Sequence, residues 1–159
     1  MLWATARSVR EEKSKQRHAL QEFSRVRVSL VRGRSGWRVG SVEAVANYYA
    51  AAPTREARGA ATSIIRLLRQ FLHGEEPQPV VFAESIAALE RTASATTNEA
   101  VCIVDLFRLR FLHQLGYIAP AVSFDALLSP SAELVYQGPR PLPPPAAAAV
   151  ANAELVSHL

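Results

Sequence analysis

The alternation of apolar and polar residues near the start of the chain predicts β-structure. In residues 23–30 (FSRVRVSL), apolar side chains occupy every second position, at Val26, Val28 and Leu30. This spacing is typical of a strand with one covered face. Residues 33–36 (GRSG) then predict a tight turn, because two glycines flank two polar residues. The pattern therefore predicts a β-hairpin.

The alternation resumes after the turn, with Trp37 and Val39 on the apolar side. Residues 2–10 are expected to form an earlier strand, and the charged segment 11–18 (EEKSKQRH) a loop. The first part of the chain, residues 1–52, is thus expected to be a basic β domain.

From residue 53 onward, apolar residues recur at spacings of three and four, which indicates helices. Gly74 and Gly116 are expected to end the first and third helices, and Asn98 to cap the start of the third. Helices are expected over residues 55–73, 80–95 and 99–115, the second with Phe82, Ile86 and Leu89 on its buried face.

The last part of the chain contains a proline-rich segment, residues 138–145 (GPRPLPPP). This composition predicts an extended connector, and a ligand for an SH3-type domain is the alternative interpretation. Residues 123–128 predict one helical turn, and residues 146–159 a final helix that docks Val150 and Leu155. Residues 53–159 are therefore expected to be a helical domain. The expected fold class is α+β, with an antiparallel β region before the helices.

Composition narrows the function classes. The chain has 159 residues, enough for one ordinary domain or two very small ones, and it has no apolar run of membrane-spanning length. It is expected to be soluble and intracellular. The single Cys102 lies in an apolar run and is expected to be a small buried residue. One cysteine and four scattered histidines give no zinc-ligand spacing, so no metal or cofactor is expected.

Positive charge is concentrated at the start of the chain. Residues 1–40 hold ten Lys/Arg and three Glu, a net of +7, whereas residues 41–159 have a net charge of −3, together the overall +4. Such a segment favours a polyanionic partner. A solvated charged surface is the alternative, and a membrane surface is disfavoured because no basic amphipathic helix is present. The ten cations are Arg7, Arg10, Lys13, Lys15, Arg17, Arg25, Arg27, Arg32, Arg34 and Arg38.

These side chains have the chemistry to follow a sugar-phosphate backbone. Lysines act as flexible point charges and arginines make forked contacts to phosphate oxygens. Aromatic residues interleaved with them are candidates for base stacking, although core packing is the favoured role for most. The stacking candidates are Trp3, Phe23, Trp37, Tyr48 and Tyr49, with Trp3 the foremost.

Several motifs resemble the DNA repair protein RecO family. LWATARSVR (2–10), EKSKQR (12–17) with LQ (20–21), and VSLVRGR (28–34) with WR (37–38) resemble the second half of that family's N-terminal OB-fold. The segment LFRLRFLHQLGYIAP (106–120) is similar to the late family helix that ends in L-G-Y-x-P, and LVSHL (155–159) to a family C-terminus.

The resemblance implies a non-catalytic mediator of recombinational repair. RecO proteins bind single- and double-stranded DNA, anneal strands, bind the acidic tail of the single-stranded-DNA-binding protein, and act with RecR to load the RecA recombinase. Matching positions imply DNA contacts by Arg7, Arg10, Lys13, Lys15 and Arg17. The hairpin residues Arg27, Arg32, Arg34 and Arg38 are added because they lie on the basic strands.

The acidic tail would need an apolar pocket with a cation at its rim in the helical domain. Arg108 and Arg110 are candidates for that cation, and an exposed helix face is the alternative role for both.

Two departures from the RecO pattern affect the expected function. The zinc-binding cysteines of many family members are absent, and the motifs begin inside the OB-fold, two strands late. We expect either a start codon placed too late or open sheet edges that pair with another chain. The alternative function is therefore a protein-interaction adaptor whose incomplete OB-fold binds DNA weakly or not at all.

Catalysis is not expected. The sequence contains no nucleophile–base set, phosphate-binding glycine loop or suitably spaced carboxylate pair; Glu99 and Asp105 lie six positions apart, which does not bring them together on one helix face.

Overall fold

A computed structural model gives an α+β fold, with a small three-stranded sheet followed by a helical region. It describes residues 2–6, 14–123, 125–128 and 141–156. The strands are β1 (Ala4–Thr5), β2 (Ser24–Gly33) and β3 (Gly36–Asn47). The helices are α1 (Lys15–Ala19), α2 (Tyr48–Ala51), α3 (Arg55–Phe71), α4 (Pro79–Thr92), α5 (Thr97–Gln114), α6 (Asp125–Leu128) and α7 (Pro144–Val156).

The sheet is mixed rather than antiparallel as expected. Its strand order is β1-β3-β2, with β2 antiparallel and β1 parallel to β3. In the described part of the expected strand 2–10, only Ala4 and Thr5 pair, with Trp37 and Arg38. Residues 7–10 of that prediction lie outside the described residues. The arrangement does not establish an OB-fold.

The hairpin is confirmed, and its turn consists of Arg34 and Ser35 between the paired Gly33 and Gly36. Gly36 has φ +113°, a conformation that favours glycine. The strand after the turn continues to Asn47, well beyond the three residues on which its prediction rested.

Two register irregularities bend β3 along its length, and the second also explains a glycine. There, Gly40 and Ser41 lie opposite Ser29, whose hydroxyl accepts the Ser41 amide proton at 2.7 Å. A Cβ at Gly40 would lie 2.6 Å from the Ser29 Oγ, so any larger residue here would displace the hydroxyl that accepts the Ser41 amide proton.

Part of the segment expected to be a loop is helical. Helix α1 lies against β3, where the Gln16 side-chain amide donates to the Gly40 carbonyl at 2.8 Å, and Ala19 is buried. Segment 11–18 predicts a loop because it has no apolar residues at helical spacing. One buried alanine and one side-chain hydrogen bond are sufficient to dock this short helix.

Helices α3, α4 and α5 form the main core around Phe107 and Phe111 of α5, whose rings stack at 5.5 Å. Helix α5 begins at Thr97 and is capped by Thr96, not by the expected Asn98. Thr96 and Glu99 form a capping box, in which each side chain accepts the other's backbone amide proton. Hydrogen bonds from the Thr96 backbone and hydroxyl lower the pKa of Glu99.

Helix α4 buries a different face from the predicted one. Leu89 is buried, as expected, and Ile86 is partly covered, but Phe82 is 63% exposed. The buried face instead includes Val81 and Glu84. The reason is the pairing of Glu84 with Arg110 on α5, which turns a charged residue inward.

Helix α7 covers the far end of α5 through a second apolar cluster. Val150 docks as expected against Leu109 and Leu112. Pro144 and Pro145 were expected in the extended connector but begin this helix. Proline is tolerated there because first-turn amides have no helical acceptor. Residues 129–140, the Leu155 side chain and Leu159 lie outside what is described.

Two further features concern the helices. The helical turn expected at 123–128 is confirmed as α6. None of the helices in the described residues is long and apolar enough to cross a membrane.

Candidate nucleic-acid interface

The structure gives a position to some of the ten N-terminal cations. Arg7, Arg10 and Lys13 lie outside the described residues, and Lys15 begins α1 without a described side chain. Arg17 is exposed on α1. Among the five cations that the family motif implies as DNA contacts, Arg17 is therefore the one whose side chain the structure describes.

The hairpin arginines divide between two faces of the sheet. Directly paired residues of antiparallel strands share a face, so Arg32 lies with Trp37, and Arg38 lies on the other face with Val31. Arg27 is four positions from Val31 on β2 and shares the Arg38 face. Arg34 is at the tip, in the turn.

Two of the strand arginines already contact carboxylates. Arg27 pairs with Glu43 across the hairpin at 3.5 Å, and both side chains are well exposed. Arg25 reaches Glu90 of α4 at 2.8 Å and is more covered. An exposed pair contributes little in water, so a phosphate can compete for Arg27 more readily than for Arg25.

The aromatic residues also separate into packed and exposed groups. Tyr48 is buried, consistent with core packing. Phe23 stacks on Tyr49 at 5.0 Å and has φ +63°, an unusual backbone conformation for a bulky residue. By contrast, Trp3 is 78% exposed beside the hairpin.

An apolar groove between β2 and helices α3 and α4 was not predicted from the sequence. Its volume is about 480 Å³, and Arg25 and Glu76 are among its lining residues. Its aliphatic and aromatic lining includes Leu68, Leu72, Val81, Phe82, Ile86 and Leu89. Phe82 lines this groove, but the spacing of apolar residues along α4 had predicted a core position for it.

The two arginines proposed for a tail-binding pocket have other roles. Arg110 is 3% exposed, pairs with Glu84 at 3.4 Å, and donates from Nε to the Leu127 carbonyl at 2.6 Å. Neither a rim cation nor a solvated helix face describes it, because it is part of the core. Arg108 pairs with Asp105 on the same helix at 3.7 Å.

The described residues include no group of three or more His, Cys, Asp or Glu side chains that could hold a metal ion. Cys102 is half-buried rather than fully buried, and burial raises the pKa of its thiol. A raised pKa lowers the fraction of thiolate at neutral pH, so this cysteine is not activated as a nucleophile.

The chain matches the model of a known protein family. The family model described as "Recombination protein O C terminal" matches residues 53–141, more than half of the chain. The chain belongs to the RecO family. This membership connects it with DNA recombination and repair and with a family of non-catalytic mediators. No curated protein and no solved structure gives a significant match.

The RecO match covers helices α3 to α6 and begins after the sheet. It therefore identifies the helical region and the core around α5. The basic hairpin lies outside the matched segment, so the family match gives no information about its role.

Proposed function

We propose that this RecO-family chain is a recombination and repair mediator that binds single-stranded DNA through its basic N-terminal segment. In this proposal it also binds double-stranded DNA, anneals complementary strands, and assists recombinase loading together with RecR and the single-stranded-DNA-binding protein. It acts in the bacterial cytoplasm, at the nucleoid. The observation that carries the proposal is the RecO match beside a segment of net charge +7.

Exposure of the cations supports DNA contact. Arg32, Arg34 and Arg38 are all exposed near the hairpin turn, on both faces and at the tip. Phosphate contacts would therefore follow the end of the hairpin, with Arg17 and Arg27 extending them. Arg7, Arg10, Lys13 and Lys15 belong to the proposed contact set through their family motif.

Removing charge from the hairpin end is expected to weaken the salt dependence of DNA binding. For single strands, the log–log slope of affinity against salt changes by about 0.7 for each phosphate that the protein neutralises. The double variant Arg34→Ala/Arg38→Ala should thus lower the slope by about 1.4. The measurement is fluorescence anisotropy of a labelled single-stranded oligonucleotide at several salt concentrations.

A matched control removes the same charge elsewhere. Arg55→Ala/Arg66→Ala replaces two exposed arginines of α3 and should leave the slope unchanged. Equal slopes for the hairpin variant and the wild-type chain would show that Arg34 and Arg38 do not contact phosphates.

The apolar groove favours a second activity, the binding of a protein tail. An acidic peptide with apolar residues suits a groove lined by Leu68, Leu72 and Phe82 with Arg25 beside it. Tyr48 also lines the groove, and its hydroxyl is buried without a hydrogen-bond partner among the described residues.

We propose that this groove binds the acidic tail of the single-stranded-DNA-binding protein. The tail carboxylates would replace Glu90 at Arg25 or accept a hydrogen bond from the Tyr48 hydroxyl, and the apolar side chains of the tail would cover Phe82. If the chain bound this tail but no DNA, it would act as the protein-interaction adaptor.

Truncation of Phe82 is expected to weaken tail binding by about 5- to 30-fold, since a buried aromatic contact at an interface contributes about 1–2 kcal/mol. The measurement is titration of a labelled acidic tail peptide with Phe82→Ala. Val101→Ala is the control, because Val101 is 61% exposed on α5 and does not line the groove. The groove assignment fails if Phe82→Ala binds the peptide as tightly as Val101→Ala does.

A further inference from the structure

We propose that a cleft between the hairpin turn and the end of helix α3 stacks unpaired nucleobases. This inference rests on the proposed single-strand binding and names the part of the strand that is recognised. The tryptophan cleft has a volume of about 650 Å³ and is lined by Trp3, Trp37, Arg69, His73 and Glu75, among others. Its walls therefore come from both the sheet and the helical region.

Trp3 provides an exposed aromatic surface in a fixed place. Its side chain is 78% exposed, which is high for the largest apolar side chain. The next two residues, Ala4 and Thr5, pair with Trp37 and Arg38 in the sheet. The indole is thus tethered beside the cleft, where a base can cover it and remove apolar surface from water.

Trp37 forms an oriented wall of the same cleft. Its indole N–H donates to the Glu75 carboxylate at 2.9 Å, and the Arg32 guanidinium lies over its ring, 5.5 Å from the centroid. The Glu75 carboxylate at the cleft wall therefore already accepts a hydrogen bond. The guanidinium over Trp37 adds a planar cation, a group on which bases also stack.

The charges around the cleft suit a nucleic acid backbone. Arg69 is exposed at the end of α3, and Arg34 precedes the lining residue Ser35 at the rim. Aromatic faces interleaved with cations are the combination by which single strands are held without sequence preference. The apolar groove differs because its lining is mainly aliphatic, which suits a peptide.

The two tryptophans of the chain both line this cleft, so intrinsic fluorescence reports on it directly. We would titrate the chain with oligothymidylate and with an abasic oligonucleotide of the same phosphate count. Both probes offer the same backbone charge, and only the first offers bases. Oligothymidylate should quench the tryptophan emission and bind about 5- to 150-fold more tightly, the range that stacking of one base gives.

The variant Trp3→Ala tests the residue itself. It should bring the affinities for the two probes together, whereas Trp3→Phe should keep most of the difference because it retains an aromatic face. Val101→Ala, an exposed change on α5 outside the cleft, should behave as the wild-type chain does.

The outcomes separate this inference from the proposed function. Equal, salt-dependent binding of both probes, unaltered by Trp3→Ala, would overturn base stacking and leave backbone binding intact. If neither probe bound at low salt, the single-strand function and the stacking site would both be refuted.

Discussion

Replacing Glu84 with alanine is expected to destabilise the fold by about 3–5 kcal/mol, because it breaks the buried ion pair between Glu84 and Arg110. Glu84 and Arg110 are 7% and 3% exposed, and their charged atoms are 3.4 Å apart. Arg110 also donates to the Leu127 carbonyl, so the pair connects α4, α5 and α6. The free energy of unfolding would be measured by urea denaturation.

Two further variants distinguish the effect of charge pairing from that of side-chain packing. The double variant Glu84→Leu/Arg110→Met removes both charges and should recover most of the stability, since apolar replacement of a buried ion pair is often neutral or stabilising. Glu43→Ala breaks an exposed pair and should cost at most about 1 kcal/mol. A cost for Glu84→Ala as small as that of Glu43→Ala would contradict the account.

Truncating Phe107 is expected to cost about 3–5 kcal/mol, the usual range for an aromatic-to-alanine change in a core. Phe107 has no exposed surface and stacks on Phe111 with an interplanar angle of 10°. The cavity would open at the centre of the RecO-matched core. The expected observation is a lower urea midpoint, with a slope close to that of the wild-type chain.

Phe82→Ala is the matched control for that change. It removes the same side chain from a position that is 63% exposed, and surface changes usually alter stability by less than about 0.5 kcal/mol. Equal destabilisation by the two variants would mean that Phe107 is not at the centre of the core. A stable Phe82→Ala protein also makes the tail-binding experiment interpretable.

The elements with a clear period could be predicted from the sequence. Helix α3 and the hairpin follow patterns that bury one face, and Gly116 follows the end of α5 with positive φ, as expected. Helix α3, however, already ends at Phe71 and is capped by Leu72, before the expected Gly74. The start of α5 also has a sequence signal, since Thr96 and Glu99 have the spacing of a capping box. Pro144 likewise stands where a first helical turn accepts proline.

Features that depend on distant residues could not be predicted. The parallel pairing of Ala4 with Trp37 joins segments far apart in sequence. Glu84 faces the core because it pairs with Arg110 on another helix. A pattern of apolar spacing assigns a carboxylate to the exposed face, so it could not predict this burial. For the candidate site, the sequence identified the cations, but their distribution over two faces follows from the strand register. The apolar groove forms where the sheet meets α3 and α4, and the tryptophan cleft where the hairpin turn meets the end of α3.

The most direct test of the central claim, that this RecO-family chain holds single-stranded DNA by its basic segment, is the salt dependence of oligonucleotide binding by the unaltered chain. If the five exposed cations Arg17, Arg27, Arg32, Arg34 and Arg38 all contact phosphates, the log–log slope should be about −3.5 or steeper. A slope near zero, or no binding at low salt, would contradict the account.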